Sequence, residues 1–288
     1  MTSWTLLAEQ PAYFITLAAV LGLLVGSFLN VVVHRLPIML ERQWRREAQE
    51  ALGLPATEYE RFNLSLPASH CPHCGHAIRA WENIPVLSYL ALRGRCSACK
   101  QPISARYPLV ELACALLSMV VAWHSGAGVQ AMALLLLTWS LLALSLIDHD
   151  QQILPDVIVL PTLWLGLIVN ACDTLVPLPA ALWGAVAGYL SLWSVYWLFK
   201  LITGKEGMGH GDFKLLALIG AWGGWQVLPL TLLLSSVIGV VAGLCLLRVR
   251  RQSAGTAIPF GPYLAIAGWI AVLWGDEMYA FYLQLFGM

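Results

Sequence analysis

VQAMALLLLTWSLLALSLIDHDQQILPD, residues 129–156, joins an uncharged apolar run to a short stretch holding three aspartates. A bilayer core of about 30 Å needs roughly 20 apolar residues in one helix, so 129–147 reads as a transmembrane helix. The carboxylates that follow it, Asp148, Asp150 and Asp156, fit a solvated loop as well as a site when read alone. The rest of the chain decides between the two. Of its 288 residues 59% are hydrophobic and 11% charged, against about 25% charged in soluble domains, which makes it an integral membrane protein. The same length criterion finds candidate spans at about 12–33, 108–124, 129–147, 155–171, 178–199, 214–227, 228–247 and 257–274. All should be helices, because a backbone exposed to lipid must satisfy its hydrogen bonds internally. The sixth is short and glycine-rich (GAWGGW), so its separation from the seventh is the least defined.

The basic residues predict the orientation. Ten of the sixteen Lys and Arg lie between Arg35 and Arg106, and the others are Lys200, Lys205, Lys214, Arg248, Arg250 and Arg251. If 34–107 is cytoplasmic, eight alternating helices put all sixteen on the cytoplasmic side, while 1–11, 125–128, 172–177 and 275–288 carry none. That is the positive-inside pattern, and it predicts that both termini face outward. MTSWTLLAEQ has no basic residue, and Arg35, Arg42, Arg45 and Arg46 follow the first helix, so the N-terminal segment reads as a retained anchor, not a cleaved signal. The net charge is zero, and no basic helix with interleaved aromatics points to nucleic acid.

The polar stretch 34–107 divides in two. ERQWRREAQEALGLP (41–55) predicts a solvated surface helix ending at Gly53 and Pro55. CPHCGHAI (71–78) and CSACKQPI (96–103) each hold a Cys-x-x-Cys pair with an Ile four residues after the second Cys. Two such knuckles supply four thiolates, Cys71, Cys74, Cys96 and Cys99, to one tetrahedral zinc. Disulfides are the rival reading, but they belong to oxidising compartments, and a thioredoxin-like motif needs one pair beside a βαβ pattern. His70, His73 and His76 are alternative ligands, although four Cys already fill the site. Four thiolates leave no open position, so the metal is structural. Cys114, Cys172 and Cys245 read as small core residues.

An ionisable residue at membrane depth is a functional hypothesis by default. The alternation of helices brings Asp148, at the end of the third, and Asp212, at the start of the sixth, to the same membrane face. Gly207, Gly209 and Gly211 in KEGMGHGDFK (205–214) allow unusual backbone angles and close approach of another chain. Two close carboxylates cannot both ionise easily and share a proton, one activating water while the other donates to a scissile carbonyl. There is no Gly-x-Ser-x-Gly elbow, no His-Glu-x-x-His motif and no EF-hand loop. Periodicity alone does not choose among the three opening aspartates; Asp156 follows Pro155 and suits a helix N-terminus.

The chain resembles the type IV prepilin peptidases along nearly its whole length. The resemblance is carried by GSFLNVVVHRLP (26–37), the two knuckles, WENIPVLSYL (81–90), RYPLVELA (106–113), LIDHDQQILPD (146–156) and GKEGMGHGDFKLLA (204–217). It implies a bifunctional bacterial inner-membrane enzyme. Such an enzyme removes the short basic leader of type IV prepilins and type II secretion pseudopilins on the cytoplasmic side, after a Gly. It then methylates the new amino terminus with S-adenosylmethionine. The family's catalytic aspartates fall on Asp148 and Asp212; Asp150 and Asp156 match family positions outside the dyad. The insert is the region implicated in binding the methyl donor. There Gly94 and Arg95 align with a Gly-Lys pair in some relatives, Arg95 being a departure. No methyltransferase signature stands in the residues themselves; Glu82, Asn83, Arg106 and Glu111 flank the insert as candidates for a charged donor, or as capping and packing residues. The expected molecule is an all-α polytopic membrane protein of about eight transmembrane helices with a small zinc-stapled cytoplasmic insert. Its parts are a first transmembrane helix (1–33), the insert (34–107) and a membrane aspartyl peptidase domain (108–288). Its rivals are a proton- or cation-coupled transporter and a non-enzymatic assembly protein with a zinc-stapled docking domain. Transporter sites, however, usually lie near the midplane in broken helices.

Overall fold

The computed structural model describes residues 10–55, 57–250 and 259–285. Among them lie nine α-helices: α1 Pro11–Ala51, α2 Leu87–Ala91, α3 Arg106–Ser125, α4 Val129–Gln151, α5 Asp156–Ala171, α6 Leu178–Thr203, α7 His210–Gly223, α8 Val227–Arg250 and α9 Gly261–Leu285. A short 3-10 helix, Ala80–Asn83, precedes α2, and pairing between extended segments is limited to isolated bridges. The all-α polytopic class is therefore the one adopted. Six helices, α1, α3, α4, α6, α8 and α9, are long and apolar enough to cross a membrane. The other two expected spans are helical but short, 16 residues in α5 and 14 in α7. Residues 1–9, Arg251 and the expected helix start at 257 lie outside the described residues, as do the side chains of Arg248 and Arg250.

The chain divides into two compact units, Met1–Ala131 and Met132–Met288. In the first, the separate helices expected at 12–33 and 41–55 are one 41-residue helix, roughly 60 Å long. Pro37 lies inside it and has no N–H to offer Val33, yet helical residues on both sides carry the chain through. The helix ends where expected: Gly53, at φ 65°, donates to Glu50 O, and Leu54 N–H reaches back to Gln49 O at 2.9 Å, a complete Schellman cap. Helices α1 and α3 meet through small residues. A Cβ on Gly22 would lie 2.8 Å from Ala115 Cα, and one on Gly26 would lie 2.8 Å from Glu111 Cα. Two glycines four apart share a helix face, and such faces let membrane helices approach closely. Arg35, expected only as a topology signal, is buried and donates to Asn63 O, Leu64 O and Pro67 O, clamping the loop that leads to the first knuckle.

The second unit is organised around α7. Phe213, Leu215, Leu216, Leu218, Ile219 and Trp222 are fully buried, so this helix is surrounded by protein and has no need of membrane length. Trp222 Nε1–H donates to Thr162 O at 2.9 Å, and Asn170 Nδ2–H donates to Ala221 O and Trp222 O, tying α7 to α5. Gly184 and Gly188 of α6 leave room for the α7 backbone at Gly220 and Leu216. The expected boundary at 227/228 moves: α7 runs from His210 to Gly223 and breaks at Gly224, whose φ of 77° suits glycine, before α8 starts. The last helix runs on to Leu285 through a bend at Trp274, whose φ of −123° is not helical. Of the three cysteines expected in the core, only Cys114 is buried. Cys172 caps the end of α5 and Cys245 lies on α8, and both are exposed.

Candidate functional site

The two knuckles of the first unit are built alike. Cys71 N–H donates to His76 O and Gly75 N–H to Cys71 O; 25 residues on, Cys96 N–H donates to Gln101 O and Lys100 N–H to Cys96 O. Bridges His70–Ala77 and Arg95–Pro102 close the two turns, and the N–H groups of Ile78 and Ile103, the residues matched in sequence, complete them by donating to Ser69 O and Gly94 O. Gly75 takes a φ of 70°, and Lys100 occupies the equivalent left-handed position at 62°. The turns bring the four sulfurs together, all within 4.8 Å, with Cys71 Sγ 3.8 Å from Cys99 Sγ and Cys74 Sγ 4.0 Å from Cys96 Sγ. These separations exclude disulfides, which need about 2.05 Å. Four thiolates each about 2.3 Å from one tetrahedral metal stand roughly 3.8 Å apart, so the group fits such an ion. Backbone N–H groups of His73 and Cys74 bring the Cys71 thiol down to about 7, and those of Cys99 and Ala98 lower Cys96 in the same way. Against the Gln101 N–H, burial and the other three thiols push Cys99 up to about 11, so the lowering is seen at the first cysteine of each knuckle and not at Cys99.

Beside the knuckles the first unit holds a cavity of about 360 Å³. Three of the residues expected near a charged donor line it: Glu82, Asn83 and Glu111. Glu111 is buried at the α1–α3 contact, and its Oε2 accepts Val86 N–H at 2.8 Å. Glu82 accepts Arg79 N–H at 2.7 Å, and this bond, with Ser97 and His76, holds its carboxyl below the usual range. Gly94 does not line the cavity; it takes a φ of 65°, and a Cβ there would lie 2.9 Å from the ring of Tyr89, which does. Arg95 belongs to the second knuckle's bridge and Arg106 opens α3, and neither lines the cavity.

In the second unit, Asp148 and Asp212 are 6% and 8% exposed, whereas Asp150 and Asp156 are exposed. Burial thus separates the aspartates that periodicity left level. Asp148 stands in the last turn of α4 and Asp212 in the first turn of α7, close enough for the charge of one to act on the other. Asp148 Oδ2 accepts the N–H of Gly261, the first residue of α9, at 3.0 Å. Asp156 is the first residue of α5, where its charge faces the positive end of the helix, and it is bound by Lys214, whose Nζ lies 2.8 Å from both carboxylate oxygens. The glycines before Asp212 work by size: none has a positive φ. A Cβ on Gly211 would lie 2.9 Å from Leu154 Cβ, and one on Gly207 would lie 2.8 Å from the Phe199 ring. The loop is further held by the Lys200–Glu206 ion pair and by His210, whose ring stands 5.1 Å from that of Tyr196. Gly261, Lys214 and Lys200 were not singled out as site residues. The signal for Gly261 is a Gly-Pro pair at a helix start, which a search for ionisable groups passes over.

Known proteins match the chain in both units. Residues 20–125 match the Bacterial Peptidase A24 N-terminal domain, and residues 135–244 match the Type IV leader peptidase family. A protein of Pseudomonas putida called prepilin leader peptidase/N-methyltransferase is 79% identical over the full length of both chains. Proteins with the same name from Pseudomonas aeruginosa (66% identical, 98% of this chain and 97% of the relative) and Aeromonas hydrophila (55%, 96% of each) are also similar. No solved structure matches the chain. Similarity of this extent, running through both units, means that the chain belongs to the type IV leader peptidase family.

Proposed function

We propose that this protein is a prepilin leader peptidase and N-methyltransferase that uses Asp148 and Asp212 as an aspartyl dyad. The observation that carries the reading is the burial of two neighbouring carboxylates at the ends of α4 and α7. Two such groups hold one proton between them. One carboxylate takes a proton from water as the oxygen attacks the carbonyl after the leader's last Gly, while the other donates to the carbonyl oxygen. Collapse of the tetrahedral adduct returns a proton to the leaving amine and breaks the peptide bond. Gly261 N–H fixes the orientation of the Asp148 carboxylate throughout.

The substrates on this reading are type IV prepilins and type II secretion pseudopilins, and the enzyme sits in the bacterial inner membrane. Its active site faces the cytoplasm, where the basic residues cluster, and both termini are periplasmic. The insert 34–107 serves methyl transfer and 108–288 serves hydrolysis. Zinc held by Cys71, Cys74, Cys96 and Cys99 braces the insert. S-adenosylmethionine supplies the electrophilic methyl group, which only the amine freed by cleavage accepts. The test is a mass spectrum of a prepilin co-expressed with the enzyme. Loss of the leader with a gain of one methyl group is expected, and an unchanged precursor would overturn the reading.

A further inference from the structure

We infer that residues 81–91 of the insert lie in the lipid–water interface of the membrane, with their exposed apolar face covered by lipid. The placement follows from how this stretch is tied to α3, one of the helices long and apolar enough to cross a membrane. Glu111 stands five residues into α3, about 7.5 Å along its axis. Its side chain leans back toward the helix start, and its Oε2 accepts Val86 N–H at 2.8 Å. Val86, the residue before α2, is therefore level with the first turn of α3. On α1 the same level is marked by Asn30, within the apolar run 12–33, whose Nδ2–H donates to Tyr107 O at 3.2 Å. The N–H groups at a helix start have no partner within the helix, and where water is scarce the protein must supply one. Here the carboxylate of a membrane helix does so, holding Val86 at φ 60°, an uncommon angle for a β-branched residue.

The surface of this stretch has the composition of an interfacial element. Trp81, Ile84, Leu87 and Leu90 recur every third residue; the first two are about half exposed, and Leu87 and Leu90 are 66% and 65% exposed. On α3, Tyr107 and Leu109 are exposed at the level of Val86. Between Arg79 and Arg93 the one charged residue is Glu82, whose side chain is buried against His76. Residues 80–92 thus offer water no exposed charge, and a contiguous apolar surface of this kind marks a binding face. Arg79 and Arg93 flank it, with Arg95 just beyond, and all three are exposed. An apolar stretch holding a Trp and edged by arginines matches the boundary between acyl chains and anionic headgroups. An apolar protein partner has no phosphates to offer those arginines.

The experiment uses the full-length protein in vesicles of phosphatidylethanolamine and phosphatidylglycerol. The photoreactive residue benzoylphenylalanine is placed, one position at a time, at Leu87, Leu90 or Trp44, and the products of illumination are mapped by mass. All three side chains are exposed, so the larger ring displaces nothing. Trp44 is the control: it stands eleven residues past the apolar run 12–33 on α1, about 16 Å further along the axis. Lipid adducts are expected at positions 87 and 90, at least fivefold above those at 44. Adducts to peptides of residues 132–288, or to a second protein chain, would make the face a protein contact. Lipid labelling at 87 and 90 no greater than at 44 would put the stretch in water. Either result overturns the inference. Lipid adducts form whether or not a prepilin is cleaved or methylated, so neither result bears on the function proposed above.

Discussion

The backbone N–H of Gly261 donates to Asp148 Oδ2 at 3.0 Å, joining the start of α9 to the last turn of α4 across 113 residues of sequence. The contact leaves no space for a side chain, since a Cβ on Gly261 would lie 2.5 Å from that oxygen. Gly261→Ala is therefore expected to push the Asp148 carboxylate out of place. Overpacking of this kind costs about 1–3 kcal/mol, and misplacing a catalytic group costs further in rate. Initial rates of leader cleavage should fall at least tenfold while the protein still accumulates in the membrane. Undiminished cleavage would mean that this contact has no part in orienting Asp148.

Lys214 and Asp156 form a close pair, but their side chains are 32% and 51% exposed. Exposed pairs contribute about 0–1 kcal/mol. Asp156→Asn is accordingly expected to keep cleavage within a few-fold of wild type, as is Asp150→Asn. An inactive Asp150→Asn enzyme alongside an active Asp148→Asn enzyme would mean that the wrong member of the stretch has been assigned.

Metal analysis of protein purified without chelators should find about one zinc per chain, because four thiolates make one closed site. Single Cys→Ser changes at Cys71, Cys74, Cys96 or Cys99 should lower zinc content and expose the insert to proteolysis. Equal zinc in a quadruple Cys→Ser variant would exclude these ligands.

Gly94 offers a way to separate the two activities. It has a φ of 65°, and a Cβ there would stand 2.9 Å from the Tyr89 ring. Gly94→Ala should displace Tyr89 into the cavity, so the fraction of mature pilin that carries a methyl group should fall several-fold while the leader is still removed. Loss of both activities together would place Gly94 in the general stability of the insert.

Much of this architecture is legible in sequence because membranes impose a length and zinc imposes a spacing. The run 129–147 ends at Asp148 because charge is excluded from the bilayer core, and α4 continues only to Gln151. The knuckles repeat every 25 residues in hydrogen bonding as they do in letters. Packing is less legible. The apolar run 12–33 and the charged stretch 41–55 read as separate helices, but α1 runs through both and through Pro37, since one missing N–H does not end a helix supported on both sides. The start of α7 lies four residues before the apolar run, where the exposed His210 ring stands 5.1 Å from that of Tyr196 and Gly211 packs against Leu154. Arg35 looked like a topology signal, and its three carbonyl partners come from a loop that periodicity does not place.

The central claim, that Asp148 and Asp212 are the hydrolytic pair, is tested most directly by mass spectra of one prepilin co-expressed with wild type, Asp148→Asn and Asp212→Asn at matched membrane levels. Loss of a general acid or base costs roughly a hundredfold or more. Wild type should yield mature, methylated pilin and each variant the intact precursor. Asp148→Asn supplied with mature pilin and labelled S-adenosylmethionine should still transfer the methyl group. Leader removal at the wild-type rate by either variant would contradict the account.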